Sequence, residues 1–98
     1  MPTRLDIEAA LRRLAPRMPA HEFGAVVDHA LDSKPLRTAS NESAAWLSLV
    51  AYVRHSLTEY DALLADGYDR DSARHFVAAE MDTILSGWGV RRKLSAEE

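Results

Sequence analysis

Cysteine is absent from the 98 residues, which removes disulfides, thiolate nucleophiles and thiolate zinc sites together. Long apolar runs are missing too. The longest, Ala44 to Val53, is interrupted by Ser48 and falls well short of the ~20 residues that cross a bilayer. The opening MPTRLDIEAALRRL alternates charge with apolar residues and lacks the unbroken apolar stretch of a signal peptide. Nor is there an excess of positive charge. A formal net charge of −3 argues against broad electrostatic binding to nucleic acid, while leaving room for local patches. These absences make a cytoplasmic protein, with no membrane segment and no nucleic-acid partner, the expectation.

What is present is ordinary for a folded domain. A hydrophobic fraction of 47% with 28% charged residues argues against disorder. A chain of this size buries roughly 60–70% of the surface its unfolded form exposes. Residues 1–90 read as a single helical domain and 91–98 as a flexible polar tail.

Four prolines and four glycines punctuate segments of helical period. Thr3 is placed to cap a first helix, which Pro16 should stop at about Ala15. Pro19 suits the first turn of a second. There Phe23, Val26, Val27, Ala30 and Leu31 make one apolar stripe. SKPLRTAS reads as the longest loop. Ser40 or Asn41 then opens a third helix, apolar on every side from Ala44 to Val53 except at Ser48, which predicts a buried central helix. Thr58-Glu59-Tyr60-Asp61 has the form of a capping box for a short fourth helix that ends at Gly67. Asp69 caps a fifth, with Ala73, Phe76, Val77, Met81, Ile84, Leu85 and Trp88 on its stripe and Gly87 and Gly89 as its stop. The fold class is all-α, a single orthogonal bundle of four to five helices.

Chemistry-bearing residues concentrate between Arg54 and Trp88, but no motif there names a reaction. His55 with Glu59, and Asp71 with His75, stand at i, i+4. Each is half a metal site without a third ligand, and Asp71 with His75 reads instead as a surface pair near a helix N-terminus. No metal and no cofactor is expected. Arg54, His55, Tyr60, Asp61, Arg70 and Arg74 would converge if the fourth and fifth helices fold back as a hairpin. They would then offer Arg forks to a carboxylate or phosphate, or form an internal ion-pair network. A DNA-reading helix-turn-helix is disfavoured. Its recognition helix would carry Asp69, Asp71, Glu80 and Asp82 against Arg70 and Arg74, the wrong sign for a phosphate-lined groove. Trp46 and Trp88 read as core residues, or as a partner surface if either ring is exposed.

The pattern Arg54-His55, Thr58, Tyr60-Asp61, Leu63-Leu64, Gly67, Arg70, Ala73-Arg74, Val77, Leu85 and Trp88 resembles the family called Domain of Unknown Function twenty-two ninety-three. Its bacterial members look similar upstream as well, through AAWLSLVAYVRH. The resemblance implies a small helical domain of bacterial type. It transfers no catalytic residue, because the family has no established activity. Separately, LLADGYDRDSARHFV is similar to the loop and helix of ubiquitin-associated-type three-helix domains, departing from them at Asp66. There the turn, here Gly67-Tyr68, belongs to a partner-binding surface. The expectation is an interaction module for a protein or a second copy of this chain. It would bury an apolar patch around Tyr68, Phe76, Trp46 or Trp88, with Arg54, Arg70 and Arg74 adding polar specificity. The alternative is an enzyme or small-anion binder in which Arg54, His55, Tyr60 and Asp61 line a pocket, with His55 as general base.

Overall fold

Thr3 opens the first helix, α1 (Arg4–Leu14), with a reciprocal cap: its hydroxyl accepts the Asp6 N–H and the Asp6 carboxylate accepts its own N–H, both at 3.2 Å. The computed structural model describes residues 2–95 and 98. Among these, α1 is followed by α2 (Ala20–Asp32), α3 (Asn41–Leu57), α4 (Tyr60–Ala65) and α5 (Arg70–Gly87), with no strand. The all-α bundle and its helix count therefore follow the sequence reading. In α1 the buried residues Ile7, Ala10 and Leu11 stand at helical spacing, whereas Leu5 is 76% exposed.

Pro19 lies one position earlier than expected. It is the cap residue of α2, and its carbonyl receives the N–H groups of Glu22 and Phe23 at 3.2 and 2.9 Å. Its extended ψ of 144° keeps it outside the helix proper. The segment expected as a plain loop contains a 3-10 helix, Lys34–Thr38. The buried side chain of Leu36 pins it to the core.

Ser40 caps α3 by accepting the Ser43 N–H at 3.1 Å. This helix packs against α1 and α2 most extensively and against α5 as well. Ala44, Ala45, Trp46, Leu49, Val50 and Val53 are buried along it. Its one polar interruption is satisfied internally: Ser48 donates to the Val26 carbonyl and contacts His29 Nδ1, both at 2.8 Å. The helix is not enclosed on every side, because Leu47 is 40% exposed.

The break after Leu57 differs from the expected capping box. Glu59, not Thr58, is the cap residue of α4, and it makes no side-chain cap. Thr58 instead turns its hydroxyl back to the Arg54 carbonyl and accepts the Tyr60 N–H. Asp61, freed from capping, reaches His55. The start of α5 is as expected, with the Asp69 carboxylate accepting the Ser72 N–H at 2.7 Å. Its stripe is Ala73, Val77, Met81 and Leu85, all buried. Phe76, assigned to that stripe from the sequence, is 61% exposed. It sits about 100° around the helix from Val77.

Two glycines end helices in the same way. After α4, Gly67 N–H bonds Leu64 O and Tyr68 N–H bonds Leu63 O; after α5, Gly89 N–H bonds Ser86 O and Val90 N–H bonds Leu85 O. Both glycines hold positive φ, 101° and 88°, which is the geometry of this terminal motif. Arg17 adds a second closure to α5. Its N–H donates to Trp88 O at 2.9 Å, and its guanidinium reaches the carbonyls of Gly87 and Ser86 at 3.4 and 3.3 Å. A cation there also complements the helix dipole.

The two glycines differ in their surroundings. A Cβ at Gly67 meets open space, whereas one at Gly89 comes within 2.9 Å of the Pro16 ring. Gly67→Ala should cost about 1–2 kcal/mol from backbone strain alone. Gly89→Ala should cost more, because the Pro16 turn must also move. Thermal denaturation of the two variants checks this, at roughly 4–8 °C per kcal/mol for a domain of this size. Equal losses would show that Pro16 yields freely.

Candidate functional site

Helical spacing carries the buried stripe of α3 from Trp46 through Val50 to Arg54, at i, i+4 and i+8. The charged end of that stripe shapes the site. Arg54 is only 7% exposed, and its guanidinium lies over the Tyr60 ring, 5.7 Å from the centroid. One terminal nitrogen donates to the main-chain oxygen of Glu98. Its Nε is buried without a hydrogen-bond partner among the described residues, and the same holds for Arg74 Nε on α5. Burial first, and then the like charge of Arg74, hold the Arg54 guanidinium below the usual arginine value; Arg70 adds to the effect, while Tyr60 and Glu98 oppose it.

These groups border an open cleft of about 510 Å³ between α3, α5 and the residues that follow α5. Arg54, Asp71, Arg74, His75, Ala78, Met81 and Asp82 line it, with Leu94, Ser95 and Glu98 across the mouth. Two arginines line it, each with an Nε that is buried without a hydrogen-bond partner among the described residues; guanidinium forks match carboxylate and phosphate oxygens. Asp71 and Asp82 add two carboxylates to the same lining.

Of the six polar candidates, Arg54 and His55 are linked through Tyr60, which touches both, but the six do not all face the cleft. Arg54 and Arg74 share the cleft, and Tyr60 supports Arg54 from the core, where it is 3% exposed. His55 and Asp61 form a separate, exposed pair, with Nδ1 and Oδ1 2.6 Å apart and the Tyr60 ring edge-on to the imidazole. His55 is not among the residues that line the cleft, because it lies about 100° around α3 from Arg54. Arg70 is exposed at the start of α5. The i, i+4 relation of His55 and Glu59 is lost, since the chain leaves helical geometry between them. No group of three metal-ligating side chains occurs among the described residues.

The four apolar candidates separate as well. Trp46 is fully buried and offers no ring surface to a partner, and Trp88 is half-buried against the core. Tyr68 and Phe76 remain exposed, at 46% and 61%. Their rings meet edge to face at 5.5 Å.

Sequence reasoning missed the residues after α5. Arg92 stacks over the Trp46 ring at 4.6 Å, and Leu94 packs against the core. The Glu98 carboxylate accepts the Trp46 Nε1–H at 2.7 Å and an Arg92 N–H at 3.1 Å. RRKLSAEE has no helical period and reads as polar, so nothing in its pattern marks these contacts. The one available signal was Trp46 itself, a buried indole whose N–H needs an acceptor.

A family model described as "Uncharacterized conserved protein (DUF2293)" matches residues 10–89. No curated protein and no solved structure matches the chain.

Glu98 supplies a pH test. Burial on its own raises its carboxyl, but hydrogen bonds from Trp46 and Ser95 and the charge of Arg92 outweigh this and hold it below the ordinary value of 4.5. A carboxylate depressed in the folded state contributes stability in full above its unfolded value and loses it as pH falls through the folded value. Trp46 fluorescence, read in a Trp88→Phe background, should therefore stay constant from neutrality down to about that value and change only below it. A transition near neutrality would contradict the Glu98 contact.

Proposed function

Because the chain belongs to the DUF2293 family, whose description assigns no activity, we propose from the geometry that it is an interaction module that captures an anionic group of its partner in the cleft between α3 and α5. The observation that carries this reading is Arg54: 7% exposed, with an Nε that meets no acceptor and no acidic side chain in ion-pair contact among the described residues. A fold selected for stability alone gains nothing from a buried cation in that state, since an apolar residue of similar volume is often as good or better. A ligand carboxylate or phosphate in the cleft supplies the counter-charge that the guanidinium lacks.

Arg54→Met tests the trade directly. It keeps the side-chain length, removes the charge, and should leave stability unchanged or raise it by about 1 kcal/mol. Binding of an acidic peptide, followed by calorimetry, should fall at least tenfold, as for other truncated charge partners. Strong destabilisation of Arg54→Met would instead support a purely structural Arg54.

The Tyr68–Phe76 pair favours a second contact. It stands on the far side of α5, since position 76 lies about 160° around the helix from position 78, which lines the cleft. Two exposed aromatic rings in contact suit an apolar anchor for a protein partner or for a second copy. If the second copy is the partner, sedimentation of the 10.9 kDa chain will show a concentration-dependent dimer that Phe76→Asp abolishes. A monomer at every concentration rules out a second copy as the occupant of the pair.

No helix among the described residues is long and apolar enough to cross a membrane. With the cysteine-free composition, this supports a cytoplasmic setting for the module.

A further inference from the structure

We infer that the chain has a second anion site, a basic cleft where the Pro16–Arg17 turn meets the end of α5, and that it takes a compact ligand bearing two or more phosphoryl groups, of which a diphosphate is the simplest. This goes beyond the reading of the α3–α5 cleft and does not depend on it.

Two basic segments from opposite ends of the sequence make the site. Arg13 and Arg17 stand at the end of α1 and in the turn after it, and Arg91 and Arg92 follow α5. All four line one open cleft of about 580 Å³, and no acidic residue is among its lining. The contacts at the end of α5 bring the segments together. Arg17 N–H donates to Trp88 O, and Gly89 lies so close to the Pro16 ring that a Cβ there would meet it at 2.9 Å. Four positive charges are thereby gathered in one cleft of a chain whose formal net charge is −3.

Internal contacts leave most of these donors available. A guanidinium carries five N–H groups. Among the described residues, side-chain hydrogen bonds use one donor of Arg13, to Glu42, and one of Arg92, to Glu98; two of Arg17 reach carbonyls, and none of Arg91 is used. Glu42 and Glu98 stand outside the lining and offset two of the four charges. Arg17 and Arg91 have no carboxylate in ion-pair contact among the described residues. The terminal carbonyls of a helix repel an anion, but Arg17 already covers those of Ser86, Gly87 and Trp88. The positive charge that remains suits a ligand with more than one negative charge, and guanidinium forks match phosphoryl oxygens.

The shape favours a small ligand over a nucleic-acid strand. The volume falls in the range of small-molecule sites, roughly 300–1,000 Å³. A nucleic-acid backbone calls instead for a basic stripe along the surface, and Asp6 and Glu8 interrupt any such stripe along α1. No aromatic ring among the described residues lines the cleft to stack a base.

Isothermal titration calorimetry with sodium pyrophosphate at low ionic strength tests the site. The variants are Arg13→Gln, Arg91→Gln and the two combined, one exposed residue from each segment. Arg37→Gln removes the same charge from an exposed position outside the lining, and Arg54→Met disables the other cleft. Pyrophosphate should bind, and orthophosphate should bind more weakly. Each single variant should weaken pyrophosphate by roughly three- to fivefold, the upper range for an exposed charge pair, and the double variant by about tenfold or more. Arg37→Gln and Arg54→Met should leave the affinity unchanged. Absence of pyrophosphate binding overturns the site, and so does an equal loss in Arg37→Gln, which would reduce it to net charge. Loss in Arg54→Met without loss in Arg13→Gln or Arg91→Gln overturns this site and supports the α3–α5 cleft instead. A labelled single-stranded oligonucleotide that binds and is not displaced by millimolar pyrophosphate overturns the small-ligand class in favour of a nucleic-acid backbone.

Discussion

The side chains of α3 between Ala44 and Arg54 need cover on most of the helix surface, and the other elements are arranged to supply it. α1 and α2 provide the larger share and α5 the rest. Burial on this scale leaves polar groups on α3 no access to bulk water, so each must find a partner inside the fold. Ser48 does so through Val26 and His29. Trp46 does so through Glu98, and Arg54 only in part, because its Nε has no partner among the described residues. The cleft exists where the cover runs out, at the end of the helix whose stripe finishes in an arginine.

That origin explains why the site combines apolar and charged walls. Met81 and Ala78 belong to the packing face of α5, and Arg74 comes from the same face one turn earlier. A guanidinium at such a boundary is partly desolvated, which strengthens its attraction for an anion and raises the cost of leaving it unpaired.

The fold was largely legible from the residues, because helix starts and stops depend on local chemistry. Thr3, Ser40 and Asp69 each cap as their side chains dictate. Gly67 and Gly89 end helices because each adopts positive φ. Thr58 and Asp61 misled, since a cap pattern competes there with tertiary partners: the Arg54 carbonyl for the hydroxyl and His55 for the carboxylate. Phe76 misled for a different reason, because an apolar side chain one step off a stripe looks no different in a hydropathy pattern. The site was legible only in part. Arg54 and Arg74 were named because a helical hairpin would bring them together, but Glu98 contributes through contacts more than 40 positions away in sequence, with |i−j| of 44 and 52. No local pattern encodes such pairings.

The Arg17 clip on α5 also bears on how the chain folds. It joins residues 70 and 69 positions apart, so its loop-closure entropy is paid only after the intervening helices have shortened the path. Helices of this kind form in about a microsecond or less, while contacts of high sequence separation set the slower rate. Docking of the α5 end onto the Pro16–Arg17 turn closes the longest of these loops and needs the intervening helices in place. A newly made chain must therefore form its helices before this clip closes.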